Sequence, residues 1–228
     1  MFPTLRTARA PEESARTFVY RVLSMYIREL FLRPGEKLVE TDVAVALRVS
    51  RTPVHDTFSR LVRERMLRPA PRGAVVPPLD PDTIKQLIWM FRTTCVAVLG
   101  ELYNERPASL EALERCVAEE YDALHSGSIV RMAGLEHNFL VELFRLADRL
   151  PVLQALENTG VDLYRMLRMP EDERMWRYIV DRHADLVQAL AMHDYEASVA
   201  ALEAEYDLLN PLLEECQYRH PSFFKLPD

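Results

Sequence analysis

The sequence contains little glycine and cysteine, and it has no long apolar run. Six glycines in 228 residues, against many Leu, Ala, Glu and Arg, predict a mostly helical protein. Cys95, Cys116 and Cys216 are far apart and lack CxxC spacing, which argues against a disulfide framework or a cysteine zinc site and fits a reducing cytosol. No stretch predicts a signal peptide, and Arg92 interrupts the most apolar run, Leu87 to Leu99. We therefore expect a cytoplasmic protein with no membrane partner.

Common catalytic motifs are also missing from the chain. It contains no HExxH, no nucleophile elbow and no glycine-rich phosphate loop. Because 49% of the residues are apolar, the chain can bury a substantial core, and wholesale disorder is not expected. The composition therefore predicts a folded protein and gives no support to an enzyme of these classes.

The net charge of −7 hides an asymmetry along the chain. The residues up to Pro78 contain 14 Arg and Lys against 8 Asp and Glu, whereas the remainder contains 14 against 27. The first part is therefore basic and the second part acidic. A basic part suits contact with a polyanion such as nucleic acid, although uneven surface charge is an alternative explanation.

The basic part has the pattern of a winged helix-turn-helix. Apolar spacing predicts helices over Pro11 to Leu32, Asp42 to Leu47 and Thr52 to Glu64, with the Pro-Gly turn of "RPGEKL" after the first. Two short extended segments flank "APRG" and predict a small β-hairpin with a basic tip. Three helices and this hairpin define a predicted domain over 11–78.

The acidic part reads as an all-α antiparallel helical bundle over 79–228, after the proline-rich linker "PPLDPD". Gly160 and Pro211 are expected to bend the helices that contain them. Such a bundle can hold a small ligand between its helices. The six helices are predicted at 82–104, 108–125, 128–148, 151–168, 171–192 and 194–217.

The stretch "VSRTPVHDTFSRL" has the features of a DNA-recognition helix. Ser50, Arg51 and Thr52 stand where the helix begins, and Pro53 is tolerated only in a first helical turn. A recognition helix places its N-terminal end in the major groove, where short polar and cationic side chains reach phosphates and base edges. Simple capping by Ser50 or Thr52, with a solvated Arg51, is the alternative. The neighbouring helix, the basic hairpin and the local positive charge favour DNA binding.

The run from Leu32 to Val76 resembles the DNA-binding domain of the GntR family of bacterial transcription regulators. The matching pieces are "PGEKL", "VSRTPV", the Arg60-Leu61 pair and "PRG" before a short strand. The helical remainder resembles the ligand-binding FCD domain of the FadR subgroup. The resemblance implies a homodimer that binds a pseudo-palindromic DNA operator under the control of a small effector.

Two residues depart from the family pattern. His55 stands where members usually carry arginine, so it can donate one hydrogen bond but not a bidentate fork, and we expect an altered operator preference. Met66 replaces a glycine, which we interpret as a packing change. The wing residues Arg72 and Gly73 match the family's minor-groove or phosphate contacts. The residues predicted to contact DNA are Thr41, Ser50, Arg51, Thr52, Pro53, His55, Arg60, Arg72 and Gly73.

Three polar side chains are predicted to point into the bundle, from three different helices. His183 and Glu205 fall within apolar stripes, and His137 lies one turn before Val141. A buried carboxylate is costly unless it is paired, neutralised or metal-bound. Many FCD domains bind a divalent metal through an aspartate and three histidines. The resemblance to this domain places His137, Val141, His183 and Glu205 at those four positions.

The surviving set of His137, His183 and Glu205 could serve zinc, nickel or manganese. The loss of a ligand at Val141 leaves a metal-free pocket open, in which Glu205 pairs with His183 or with an arginine.

Arg92 stands where FCD domains often carry an arginine that faces the ligand. An inward guanidinium suits a carboxylate, so we expect the effector to be an organic acid, with Arg165 and Arg168 as further candidates. The predicted effector site therefore comprises Arg92, His137, Val141, Arg165, His183 and Glu205. The leading hypothesis is a ligand-responsive transcription regulator, not an enzyme. A metal-dependent enzyme acting on a small organic acid and a helical interaction module are the alternatives.

Overall fold

The computed structural model describes residues 8–226 and divides into two compact units. One unit combines the residues up to Pro81 with those from Gln217 onward, and the other covers Asp82–Cys216. The units are called here the N-terminal unit and the helical unit. This division differs from the predicted one because the last residues of the chain group with the first.

The N-terminal unit contains three helices, as the apolar spacing predicts. The first helix starts later than predicted because Ser14 caps it and accepts a hydrogen bond from the Thr17 N–H at 3.1 Å. It ends earlier because Leu30 adopts a left-handed φ of 57°. The helices are α1 Ala15–Arg28, α2 Glu40–Leu47 and α3 Arg51–Arg63.

A three-stranded antiparallel sheet completes this unit, with β3 in the centre. The strands are β1 Lys37–Val39, β2 Arg68–Ala70 and β3 Gly73–Val75. The predicted hairpin is β2–β3. The prediction missed β1, which pairs with β3 in the register Leu38 to Ala74.

The helical unit is all-α, so the predicted combination of a winged helix-turn-helix and a helical bundle is confirmed. Within it, α5 packs against α6 and α9. A single 3₁₀ turn, Ile129–Arg131, precedes α6. The helices are α4 Pro81–Asn104, α5 Glu111–His125, α6 Met132–Leu146, α7 Leu150–Thr159, α8 Val161–Leu167, α9 Glu173–Ala191 and α10 Tyr195–Arg219.

The helix predicted over 151–168 is two helices, because the chain breaks at Gly160. A Cβ at that position would lie 2.9 Å from the Phe91 ring, so only glycine allows this close packing. Pro211, in contrast, lies inside a continuous α10.

The end of the chain pairs with the segment that follows the wing. Leu79 and Phe224 form a parallel bridge, in which the Leu79 N–H donates to the Phe223 carbonyl at 2.9 Å. The Lys225 N–H donates to the Leu79 carbonyl at 2.8 Å. Leu79 and Phe224 are both buried, so the C-terminal segment is part of the N-terminal unit. Within residues 8–226, no helix combines the length and the apolar character that a membrane crossing needs.

Candidate DNA-binding surface and effector site

The N-terminal end of α3 is exposed and uncapped. Ser50 occupies the capping position with an extended backbone, but its side chain makes no capping hydrogen bond. Arg51 and Thr52 follow as exposed first and second helical residues, and Pro53 is the third. Because the first-turn N–H groups of a helix have no intrahelical partners, this end can accept a phosphate.

Glu40 holds two of the predicted recognition side chains. Its Oε2 accepts a hydrogen bond from Arg51 Nε at 2.9 Å, and its Oε1 lies 2.9 Å from His55 Nδ1. The Arg51 and His55 side chains are nevertheless 70% and 65% exposed. The hydrogen bond with His55, followed by that with Arg51, lowers the pKa of Glu40 against the opposing effect of burial. Glu40 therefore remains a carboxylate that orients both side chains on the surface.

Glu40 was not among the residues predicted from the sequence to belong to this surface. The available signal was its position at the start of the helix that precedes the recognition helix, 11 residues before Arg51. That signal could not reveal which basic side chains the carboxylate would reach.

Two other predicted DNA contacts make bonds within the protein. Thr41 is exposed on α2, and its hydroxyl donates to Asp42 at 3.3 Å. Arg60 donates through Nε to Glu64 at 2.8 Å, and its guanidinium lies 3.6 Å from the centre of the Tyr20 ring. Arg60 is thus tied to α1 by a cation–π contact.

The wing turn contains Arg72 and Gly73. Arg72 is exposed and takes the left-handed conformation, with a φ of 65°. Gly73 is required for a different reason, since a Cβ there would lie 2.0 Å from the Leu38 carbonyl oxygen of β1. Arg72 therefore takes the left-handed conformation in the turn, and Gly73 leaves room for the close approach of β1.

In the helical unit, His183 of α9 is buried between two carboxylates. Its Nδ1 lies 2.9 Å from Glu120 of α5, and its Nε2 lies 3.4 Å from Glu205 of α10. Its ring stacks on Phe139 of α6, with centroids 3.8 Å apart. Burial alone lowers the pKa of His183, but Glu120 and Glu205 outweigh it and raise that pKa well above its ordinary value. His183 is therefore an imidazolium at neutral pH.

A further buried carboxylate, Glu136 of α6, lies near this cluster. Its side chain is 6% exposed, and its Oε2 has no hydrogen-bond partner among residues 8–226. Burial, together with the nearby carboxylates of Glu205 and Glu120, raises the pKa of Glu136 to about 8. The prediction placed His137 inward, whereas the more deeply buried side chain is that of Glu136.

Replacement of Glu136 by glutamine is expected to change how stability depends on pH. Between pH 4.5 and about 8 the folded state keeps a proton on Glu136 that the unfolded state releases, so wild-type stability falls as pH rises. The contribution is up to about 1.4 kcal/mol per pH unit. Urea unfolding across this range should show a shallower decline for Glu136→Gln. Glu142→Gln, on the same helix but paired with Arg145, is the control and should keep the wild-type slope. Equal slopes for all three proteins would contradict the burial of a neutral Glu136.

Of the three predicted metal ligands, His183 and Glu205 lie together, but His137 does not complete a group of three with them. His137 Nδ1 lies 3.4 Å from Glu157, and its ring packs edge-to-face against Tyr164. Val141 has no donor atom, so the ligand set lacks a donor at that position. Across residues 8–226, no three His, Cys, Asp or Glu side chains form a group that could hold a metal ion. The donor set therefore does not fit zinc, nickel or manganese, and the prediction of one site from His137, His183 and Glu205 is corrected.

The predicted effector arginines are bound to carboxylates. Arg92 donates to Glu203 at 2.8 Å and to Asp207 at 2.9 Å, both on α10. Arg165 is buried and donates to Asp162 at 2.9 Å, and burial lowers its pKa. The structure therefore does not bring Arg92 or Arg165 to the pocket described next.

A narrow pocket lies between α4, α6, α8, α9 and α10. Its polar lining residues are Glu136, Glu205 and two tyrosines. The lining residues are Phe91, Glu136, Leu140, Leu163, Tyr164, Leu167, Ile179, Glu205, Tyr206 and Leu209.

Two family models match the chain. The model of bacterial regulatory proteins of the gntR family matches residues 15–76, and the FCD domain matches residues 102–207. The chain therefore belongs to the GntR family of bacterial transcription regulators, in the group with a C-terminal FCD domain. The first domain is the DNA-binding helix-turn-helix, and the second is an effector-binding domain.

Curated relatives match along nearly the whole chain. The HTH-type transcriptional repressor RspR of Escherichia coli (strain K12) is 22% identical over 97% of this chain and 98% of its own length. The gluconate operon transcriptional repressor of Bacillus licheniformis is 23% identical over 85% and 82%. These relatives are regulators, and the enzyme alternative gains no support from them.

A solved structure has the same fold. E. coli McbR/YncC superimposes with a TM-score of 0.76 at 18% identity, covering 90% of this chain and 99% of that one. At this identity the likeness supports the fold alone.

Proposed function

We propose that this chain is a repressor that binds a pseudo-palindromic operator as a homodimer and is controlled by a small effector bound in the helical unit. The observation that carries the proposal is the pair of exposed side chains, Arg51 and His55, that Glu40 orients beside the open N-terminal end of α3. Repression is proposed because the relatives RspR and the gluconate operon regulator are named repressors.

The proposed DNA contacts include side chains that can read bases and groups that can bind phosphates. Arg51 retains its terminal N–H donors beyond the bond to Glu40, and these can fork onto guanine or onto a phosphate. Ser50 and Thr52 can donate hydrogen bonds from their hydroxyls, and the first-turn N–H groups can donate as well, to the phosphate backbone of DNA. His55 presents one ring nitrogen beyond its bond to Glu40, which permits one hydrogen bond. Arg72 at the wing tip supplies a further cation to a groove or a phosphate.

The proposed dimer places two recognition helices about one turn of DNA apart, which explains why the operator should be palindromic. Effector binding in the helical unit would then shift the population of DNA-competent dimers. An operator-binding protein acts where the chromosome is, so the proposal places it in the cytoplasm. The expectation of an organic acid as the effector rested on Arg92, whose guanidinium donates to Glu203 and Asp207.

The proposal predicts tight and specific binding to DNA upstream of the protein's own gene. Fluorescence anisotropy should give an affinity for this fragment at least about 10³-fold above that for scrambled DNA at physiological salt. The logarithm of the association constant should fall linearly with the logarithm of salt concentration, because Arg side chains displace condensed counterions. Equal affinity for the two fragments, at every salt concentration, would contradict a sequence-specific operator function.

A further inference from the structure

The charge of the pocket in the helical unit is the reverse of what an organic acid needs. Glu136 of α6 and Glu205 of α10 both line it, and each is 6% exposed. No Arg, Lys or His is among its lining residues. An anion in this pocket would meet the Glu205 carboxylate and would keep Glu136 protonated, in a setting of low dielectric constant where like charges repel strongly.

Both ring nitrogens of His183, the cation beside these acidic residues, already have carboxylate partners. His183 directs one ring nitrogen to Glu120 and the other to Glu205. It has no third donor, so Glu136 receives no hydrogen bond from it. Arg168 exerts a weaker electrostatic influence on Glu136, but it does not line the pocket. The Oε2 atom of Glu136 thus remains buried without a hydrogen-bond partner among residues 8–226.

A buried acceptor of this kind is costly unless a donor reaches it. The other lining residues indicate the chemistry of the rest of the ligand that would bring this donor. Its walls are aliphatic side chains together with the rings of Phe91 and Tyr164, which lie edge-to-face at 6.1 Å. Aromatic faces attract cations, and aliphatic walls favour an apolar body.

We propose that this pocket binds a small organic amine as its ammonium ion, with the charged nitrogen donating to Glu136 and Glu205 and a compact apolar body against Phe91 and Tyr164. The inference rests on the proposed function, in which the helical unit holds the effector. It replaces the divalent metal, which the donor set does not fit, with a cation of a different chemical class. The pocket's volume limits the ligand to a small or slender molecule.

The test compares ligands that differ in charge but are similar in shape. Isoamylamine, isovalerate and isoamyl alcohol form one set, and benzylamine, benzoate and benzyl alcohol form a second. Each is titrated into the full chain at neutral pH, and binding is measured by calorimetry and by the shift in unfolding temperature. We expect saturable binding of at least one amine, with the matched acid and alcohol at least about tenfold weaker, because charge-assisted hydrogen bonds are the strong ones.

Two variants locate the site. Glu136→Gln should weaken amine binding by about tenfold or more, since an ammonium ion beside Glu136 favours its charged form and glutamine cannot ionise. Glu205→Gln, on α10 across the pocket, should also weaken amine binding. Glu142→Gln, which changes the charge equally on α6 outside the pocket, should bind the amine as the wild type does.

The other outcomes overturn the inference. Preference for the acids, failure of both amines to bind, or amine binding that Glu136→Gln leaves unchanged would each do so. Specific operator binding in the anisotropy experiment would survive all three results, so failure of the inference is distinguishable from failure of the proposed function.

Discussion

Replacement of Arg51 by alanine is expected to abolish specific operator binding while leaving the fold intact. A bidentate arginine contact is worth about 1–3 kcal/mol, and a dimer loses two of them, so the loss is about 2–6 kcal/mol. That corresponds to a decrease in affinity from about 30-fold to more than 10⁴-fold. The measurement is fluorescence anisotropy on the upstream fragment at moderate salt.

The structure explains why this change should spare stability. Arg51 is 70% exposed, and its bond within the protein is an exposed ion pair with Glu40, whose loss is expected to cost under about 1 kcal/mol. Arg174→Ala is the matched control, because it removes the same charge from a side chain that is 92% exposed in the helical unit. Unchanged operator affinity in Arg51→Ala would remove Arg51 from the proposed contact set.

Replacement of His183 by leucine is expected to destabilise the helical unit by about 3–5 kcal/mol at neutral pH, because two buried carboxylates lose their shared cation. The contribution of His183 has a definite pH dependence. Since its folded-state pKa is raised, its stabilisation is fully present below its ordinary pKa and is lost as pH rises through the raised value. Urea unfolding monitored by circular dichroism measures both effects.

A triple variant distinguishes the loss of the shared cation from a general failure of the His183→Leu protein to fold. His183→Leu combined with Glu120→Gln and Glu205→Gln removes the two charges as well as the cation, and it should recover much of the lost stability. His125→Leu, at an exposed position on α5, should change the free energy of unfolding by less than about 0.5 kcal/mol. A single His183→Leu variant that is as stable as the wild type would show that the two carboxylates do not depend on the imidazolium.

Helical periodicity was sufficient for most of the fold, because long amphipathic stretches carry a repeated signal. The strand β1 was not predictable in the same way, since Lys37–Val39 is three residues long and gains its structure from pairing with β3. Gly160 was expected to bend one helix, and it separates two. The close approach of Phe91 that accompanies this break is a tertiary contact that no local pattern contains.

The candidate site was predictable in part. The apolar stripes of α9 and α10 correctly indicated that His183 and Glu205 are buried, and the pairing of the two was among the alternatives. Glu120 was missed, although it lies seven residues after Leu113 and four before Leu124, a spacing that places it on the buried stripe of α5. Glu136 was missed because the predicted inward residue of α6 was its neighbour His137, and a shift of one residue turns a helix by about 100°.

The bridge between Leu79 and Phe224 affects how the N-terminal unit should be isolated for study. A recombinant fragment that stops at Pro78 would lack both partners of this bridge, and with them two side chains that the intact protein shields from water. An excised version that retains its native packing must therefore supply the last stretch of the chain alongside the first, as a tethered or co-expressed peptide.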